Sequence, residues 1–393
     1  MEDLGSLSPA LASETRAPIT VLHLLHTVAY GGVETALLGW IGRMDPERFR
    51  VHLMCFANPD GSERPFVEAA ERLGHEVSTL RWSRRKPVLR CARELARRVR
   101  ELGVDVLHTH NTYADCVGAV TRLLVPVRTV TTLYVWTNLG FKRKALQWIN
   151  QRVIRGYDQI SAHCEETHRQ TVERGFRPEE LKTLICGFEA EVPELGPGER
   201  SRLRRARGVA DDEVLLANVA RFYPEKAQDD LLRSFAEIHR QEPRTRLWMI
   251  GVGPLEARLH ALCTRLGLDD AVDWLGFDRD LMTTLALVDV QVHPSHVEGV
   301  PLAICSGMAA GLAIVGSNVG GMSEVLKTGS TGILVPPRDL PAFEREVLRL
   351  VRDEGERRRL GAEARRFIET EYSLDTAVAR VEATYEEVVG RCG

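Results

Sequence analysis

The chain has 393 residues, 44% of them hydrophobic and 27% charged, with a formal net charge of −3. That length exceeds what one hydrophobic core serves and fits two domains of roughly 150–200 residues each. The near-neutral balance excludes a generic basic nucleic-acid binder, and no run approaches the eighteen or so apolar residues of a membrane span.

Residues 1–18 read as a polar, acidic, flexible tail without the basic and apolar regions of a signal peptide, so the expected location is the cytoplasm. Eight cysteines are scattered singly with no C-x-x-C pair, the pattern of a reducing compartment rather than a disulfide framework or zinc site. From Ile19 onward, short apolar runs alternate with longer amphipathic segments. ITVLHLL, RVHLMCF, GHEVSTL, DVLHTH, VRTVTTL and YDQISA read as strands, with helices between them such as Pro87–Leu102 and Lys142–Arg155. The stretch Glu189 to Val209 breaks this rhythm with Pro, Gly and dense charge, and reads as a connection whose arginine-rich half could form a short helix. The pattern then restarts with EVLLANVA, RLWMIG, VDWLG, VDVQVHP, LAIVGS and GILVP. Such alternation implies right-handed βαβ units and mostly parallel sheets. The expected fold class is therefore α/β with two doubly wound, Rossmann-like domains, at 19–190 and 211–373, joined by a linker at 191–210.

Several constellations stand at the carboxyl ends of these strands. Gly31-Gly32-Val33-Glu34 follows the first strand, where glycines permit a tight turn and close backbone approach to phosphate. A plain strand-to-helix turn is the alternative. His108-Thr-His110 ends another strand; as a metal pair it has no third ligand at a recognisable spacing, whereas a role for His110 at a cleft suits its position. Arg221 and Lys226 follow the first strand of the second half, where two cations can hold a diphosphate leaving group. Gly251-Val-Gly253-Pro254 follows the next strand and opens a helix; Glu256 occupies the third-glycine place of a dinucleotide fingerprint, which argues against NAD. Asp278-Arg-Asp280 reads as helix capping rather than a metal motif. Between Arg81 and Arg100 nine basic residues meet one acid, and Phe141–Trp148 adds a basic cluster with aromatics. This surface is either a solvated helix face or a contact with an anionic membrane.

The most informative stretch is HPSHVEGVPLAICSGMAAGLAIVGSNVGGMSEVL, His293 to Leu326. Glu298 is followed by Gly-Val-Pro, an Ala-rich helical run, an apolar strand from Leu312 to Gly316, and a Gly-Gly turn before Glu324. It resembles the donor-binding segment of the GT-B glycosyltransferases in the large retaining family 4. The resemblance covers nearly the whole chain after residue 18. It implies two domains facing a cleft, with the last helix (Leu374–Arg391) crossing back onto the first domain. It also implies transfer of a sugar from a nucleotide-diphosphate sugar to a hydroxyl acceptor, a polysaccharide, glycolipid or small metabolite, with no cofactor and no metal. Carried over residue by residue, it assigns Glu298, Arg221 and Lys226 to catalysis. Gly31, Gly32, Gly253, Pro254, Val300, Pro301, Leu302 and Ser306 would bind the donor, and His110 and Tyr134 would face the acceptor.

Three segments depart from the family pattern. Ser306 stands where a second glutamate usually accepts the ribose hydroxyls; losing that charged acceptor costs roughly 1.5–3 kcal/mol of nucleotide affinity. In VTTLYV, Tyr134 or Leu133 replaces a histidine, and in ICGFE, Cys186 replaces an asparagine and Glu189 an aspartate. They leave open two other readings, a non-catalytic GT-B protein that binds a glycan or partner, and a sugar-nucleotide epimerase.

Overall fold

The computed structural model describes residues 17–27, 31–83, 87–134, 141–196, 198–299 and 302–390. The N-terminal tail up to residue 16, the basic triplet 84–86, and Val300 and Pro301 lie outside the described residues. One sheet contains β1 (Ile19–Leu25), β2 (Phe49–Ala57), β3 (Val77–Arg81), β4 (Val106–His110), β5 (Arg128–Leu133), β6 (Gln159–Ala162) and β7 (Leu181–Thr183), in the order β3-β2-β1-β4-β5-β6-β7. The other contains β8 (Val214–Val219), β9 (Thr245–Ile250), β10 (Val272–Gly276), β11 (Val290–His293), β12 (Ala313–Ser317) and β13 (Ile333–Val335), in the order β10-β9-β8-β11-β12-β13. Every pairing is parallel. Parallel neighbours each need a crossover, helices supply it, and helices on both faces bury the strands. That is why β1 and β12 read as near-continuous apolar runs. The three-residue β7 is too short to stand out in the sequence.

Strand order reverses between β1 and β4 in the first sheet, and between β8 and β11 in the second. Where the order reverses, connections leave in opposite directions and open a crevice beyond the carboxyl ends of the strands. The two crevices face each other. A Cβ placed on Gly32, after β1, would meet the Leu302 side chain of the second half at 3.8 Å.

The arginine-rich stretch forms the helix Glu199–Ala206. Its Arg204 is 2% exposed and donates to Asp289 Oδ2 at 2.9 Å and to the carbonyls of Leu287 and Glu213. Arg200 reaches Asp289 Oδ1 at 2.7 Å, and the Leu215 N–H donates to Oδ2 at 2.8 Å. Burial pushes the Asp289 carboxyl up, but the two guanidiniums outweigh it and hold it below its ordinary value. This pair fastens the segment after the connection to the base of β8 and β11.

The helix Leu374–Gly390 leaves the second half and packs on the helix Gly32–Arg43 and on β4. Glu382 accepts the Asp45 N–H at 3.0 Å and an Arg48 N–H at 2.8 Å, while Tyr385 is fully buried. A second bond between the halves runs from the Glu166 N–H, at the start of the helix Glu165–Glu173, to Glu324 Oε1 at 3.0 Å.

Replacing Asp289 by Ala leaves Arg204 buried without its anion. We expect a loss of about 3–5 kcal/mol of unfolding free energy, read from urea titration. A loss under about 1 kcal/mol would show that the pair does not hold this junction.

Candidate functional site

The second half contributes charge. Lys226 closes the short turn Pro224–Lys226 after β8, and its Nζ lies 2.6 Å from Glu298 Oε2; the two side chains are only 18% and 5% exposed. Arg221 precedes that turn, exposed, with its guanidinium 5.0 Å from the centre of the Tyr223 ring. Ala227 follows Lys226 with φ at +54°, a left-handed conformation that a glycine adopts at no steric cost. Backbone contact fixes the Glu298 loop: a Cβ on Gly320, in the Gly-Gly turn, would stand 1.8 Å from the Glu298 carbonyl oxygen. Only glycine lets the turn approach so closely. The sequence thus brings Arg221 and Lys226, on the connection after β8, and Glu298, on the connection after β11, to one crevice.

Buried polar atoms without a protein partner gather nearby. They include Asn218 Oδ1 at the end of β8, Gln228 Oε1, His293 Nε2 at the end of β11, and Ser295 Oγ. A buried unpaired polar atom costs about 1–3 kcal/mol, so the group marks a place that a polar ligand or ordered water completes. Burial, helped by the Lys226 charge, lowers the His293 imidazole to about 3 and keeps it neutral.

Other expected residues stand differently from the sequence reading. Ser306 is 7% exposed and donates its hydroxyl to the Leu302 carbonyl at 3.0 Å, one turn back in the helix Leu302–Ala309. Gly253 and Pro254 form a turn, and the helix begins only at Glu256. A Cβ on Gly253 would lie 2.5 Å from the Phe222 carbonyl oxygen, so this glycine packs the turn against the Arg221 loop. Gly31 gives its N–H to Glu34 Oε2 at 3.0 Å instead of presenting it to a ligand, and Glu34 Oε1 also accepts the Thr27 hydroxyl. Asp278 accepts the Asp280 N–H at 2.9 Å in a turn ahead of the short helix Leu281–Leu285, whose N-cap residue Asp280 makes no side-chain capping bond.

In the first half, a cavity of about 550 Å³ lies between Gly31, Gly32, Asn111, Tyr113, Tyr134 and, from the other side, Arg221. His26 also lines it, packed edge to face on Phe56 and Tyr113 and tilted on Trp82. Sequence reasoning missed His26, Asn111 and Tyr113, because nothing in their local pattern marks which strand-end residues converge. It also found no third partner for His108 and His110. The fold supplies one: His23 on β1 is in register with His108, and one ligand atom from each of the three rings lies within 4.8 Å of the others. The composition is that of a zinc site. Each of the six ring nitrogens, however, already faces a protein group, so the cluster is built as a hydrogen-bond chain.

Two family descriptions match this chain: Glycosyltransferase Family 4 over residues 30–192, and Glycosyl transferases group 1 over residues 199–367. It is 31% identical over 307 residues to the D-inositol 3-phosphate glycosyltransferase of Geodermatophilus obscurus, across 72% of this chain and 67% of that protein. The chain belongs to the family 4, group 1 glycosyltransferases. N-acetyl-alpha-D-glucosaminyl L-malate synthase of Bacillus anthracis is 25% identical over 306 residues, 77% of this chain and 79% of that one. Among solved structures, HepE of Anabaena in complex with UDP is similar at TM-score 0.83 and 21% identity, over 94% of this glycosyltransferase and all of that chain. A glycosyltransferase from Rickettsia africae reaches TM-score 0.81 at 16% identity, over 95% and 99%. These likenesses place the two sheets in the GT-B fold.

Behind the cleft, this glycosyltransferase buries an acid. Asp115 lies on the helix Thr112–Thr121, whose first residues line the cavity, and is fully buried with Oδ1 accepting the Thr109 and Thr131 hydroxyls at 2.6 and 2.7 Å. Burial pushes its carboxyl up to about 6, against the pull of those hydroxyls. An unfolded aspartate titrates near 3.9, so the native state holds its proton longer. The contribution is therefore intact below about pH 4 and falls away as pH rises to about 6, by on the order of 3 kcal/mol. Asp115→Asn keeps an oxygen acceptor for both hydroxyls and removes the titration. Urea unfolding at pH 4.5 and pH 7 should show the variant gaining on the wild type at the higher pH; an equal difference at both would contradict the assignment.

Proposed function

We propose that this glycosyltransferase moves a sugar, with retention of configuration, from a nucleotide-diphosphate sugar to a hydroxyl acceptor without a metal ion. The observation that carries the reading is the Lys226–Glu298 pair at 2.6 Å, with Arg221 on the same connection. A diphosphate entering the crevice offers Lys226 a second anion, and Arg221 adds a further cation. Together they supply the charge that a divalent ion would otherwise bring to the leaving group. As Lys226 turns to the phosphate, the Glu298 carboxylate is freed to accept hydroxyls of the sugar being transferred.

Retention needs no protein nucleophile if the acceptor attacks from the face the diphosphate leaves. The acceptor oxygen bonds to the anomeric carbon as the carbon–phosphate oxygen bond breaks, and the acceptor proton passes to the departing diphosphate. The aromatic wall of His26 and Tyr113 and the polar atoms of Asn111 and Tyr134 suit a hydroxylated acceptor on the opposite side. The bound UDP and UDP-glucose in the HepE structures support a uridine diphosphate sugar as the first donor to test.

Calorimetric titration with UDP, GDP and ADP in EDTA should find one nucleotide that binds at micromolar concentration, at least tenfold more weakly to Lys226→Ala. If none binds, the donor reading fails. Ser306→Glu puts a charged acceptor one helical turn from Leu302 and should tighten the same nucleotide about tenfold or more. An unchanged or weaker affinity would show that the ribose is not held at this position.

A further inference from the structure

Six residues from four separate parts of the chain form a single file of hydrogen bonds behind the cavity. Thr132 Oγ1 meets His108 Nε2 at 2.8 Å, and His108 Nδ1 meets the Tyr385 hydroxyl at 2.6 Å. The Tyr385 hydroxyl also meets His23 Nε2 at 3.3 Å, and His23 Nδ1 meets His110 Nε2 at 2.9 Å. His110 Nδ1 then meets the Tyr134 hydroxyl at 2.9 Å. The first five residues are fully buried, and only Tyr134 lines the cavity.

Burial lowers the three imidazoles well below their ordinary range, His23 to about 3, and raises both phenols, so all the members are neutral. A neutral imidazole has one N–H and one acceptor nitrogen, and a phenol or alcohol has one proton to give. Fixing the direction of one link therefore fixes every link. Either all three rings carry the proton on Nδ1 and Tyr134 donates into the cavity, or all three carry it on Nε2 and Tyr134 donates inward. The buried end decides. Among the described residues the Thr132 hydroxyl has His108 Nε2 as its one partner. If Thr132 donates, its proton is satisfied; if it accepts, that proton is buried without an acceptor, at about 1–3 kcal/mol. At the other end, the cavity can meet Tyr134 in either role.

We infer that the file runs one way, from Thr132 to Tyr134, and presents Tyr134 as a hydrogen-bond donor to a hydroxyl of the acceptor substrate. His23, His108, His110 and Tyr385 are its positioning residues. Asn111 lines the same cavity, its Nδ2 donating to the His26 carbonyl at 2.8 Å. An alcohol oxygen that accepts from Tyr134 completes the file at the cavity. The file does not take up the acceptor's proton, because its buried members do not tolerate an added charge. The identity of the occupant rests on the transferase reading; the direction of the file does not.

The test labels the histidines with 15N and reads each tautomer by long-range 1H–15N correlation, with His→Gln variants for assignment. We expect His23, His108 and His110 all as Nδ1–H. A solvent-exposed histidine ring mildly prefers Nε2–H, so three Nδ1–H rings would be the signature of the file. Thr132→Val should release that order, and Thr132→Ser should keep it. In transfer assays, Thr132→Val and Tyr385→Phe should raise the acceptor KM about three- to tenfold and leave the nucleotide Kd unchanged, while Thr132→Ser behaves as wild type. Rings with Nε2–H or mixed tautomers in the wild type would overturn the inference, as would an unchanged acceptor KM once the tautomers have been scrambled. Three Nδ1–H rings in a protein that transfers nothing would uphold the file and defeat only the transferase reading.

Discussion

Two parallel sheets share one ligand only if their carboxyl ends are held face to face. That constraint falls on the returning helix Leu374–Gly390. It leaves the second half and buries its inner face on the helix Gly32–Arg43 and on β4, with Glu382 and Tyr385 as its polar anchors. Each sheet by itself offers half a site: a glycine turn and a polar wall on one side, two cations and a carboxylate on the other. Only their apposition puts Arg221 in the same cavity as Asn111 and Tyr134.

The two halves divide the chemistry. Charge is concentrated on the second, where Lys226 and Glu298 neutralise each other at low exposure and Arg221 stays accessible. Paired charges of this kind are held close to their task without leaving an isolated ion in a poorly solvated crevice. On the first half it is the hydrogen-bonded file that is kept neutral. Its histidines are stripped of charge by burial and linked through hydroxyls, and the fully buried Asp115 sits on the far face of β4 from them.

The departures from the family pattern look different once placed. Ser306 turns its hydroxyl into its own helix, so the missing glutamate is not replaced there by an equivalent acceptor. Tyr134 is no stray substitution: its hydroxyl ends a file that reaches the returning helix. Cys186 is buried and its carbonyl accepts the Trp40 Nε1–H at 2.8 Å, which makes it part of the packing between connection and first half. All seven described cysteines are free.

The sequence by itself determined the strands other than β7, because the central ones are buried on both faces and read as apolar runs, and it placed the glycine turns, Arg221, Lys226 and Glu298 at strand ends. Local spacing carries that information. It also named His108 and His110 as a pair, and the family resemblance pointed to Tyr134 or Leu133. What it could not show is convergence. His23, Tyr385 and Thr132 look like ordinary members of a strand, a helix and a strand, and meet the pair only through sheet register and the returning helix. The same holds for His26, Asn111 and Tyr113, and for Arg204, whose buried role in a charged connection is set by Asp289 more than eighty residues later. Parallel sheets with crossovers are assembled from contacts distant in sequence, so the partners of a strand-end side chain are decided only when the strands are ordered and the two halves close on each other.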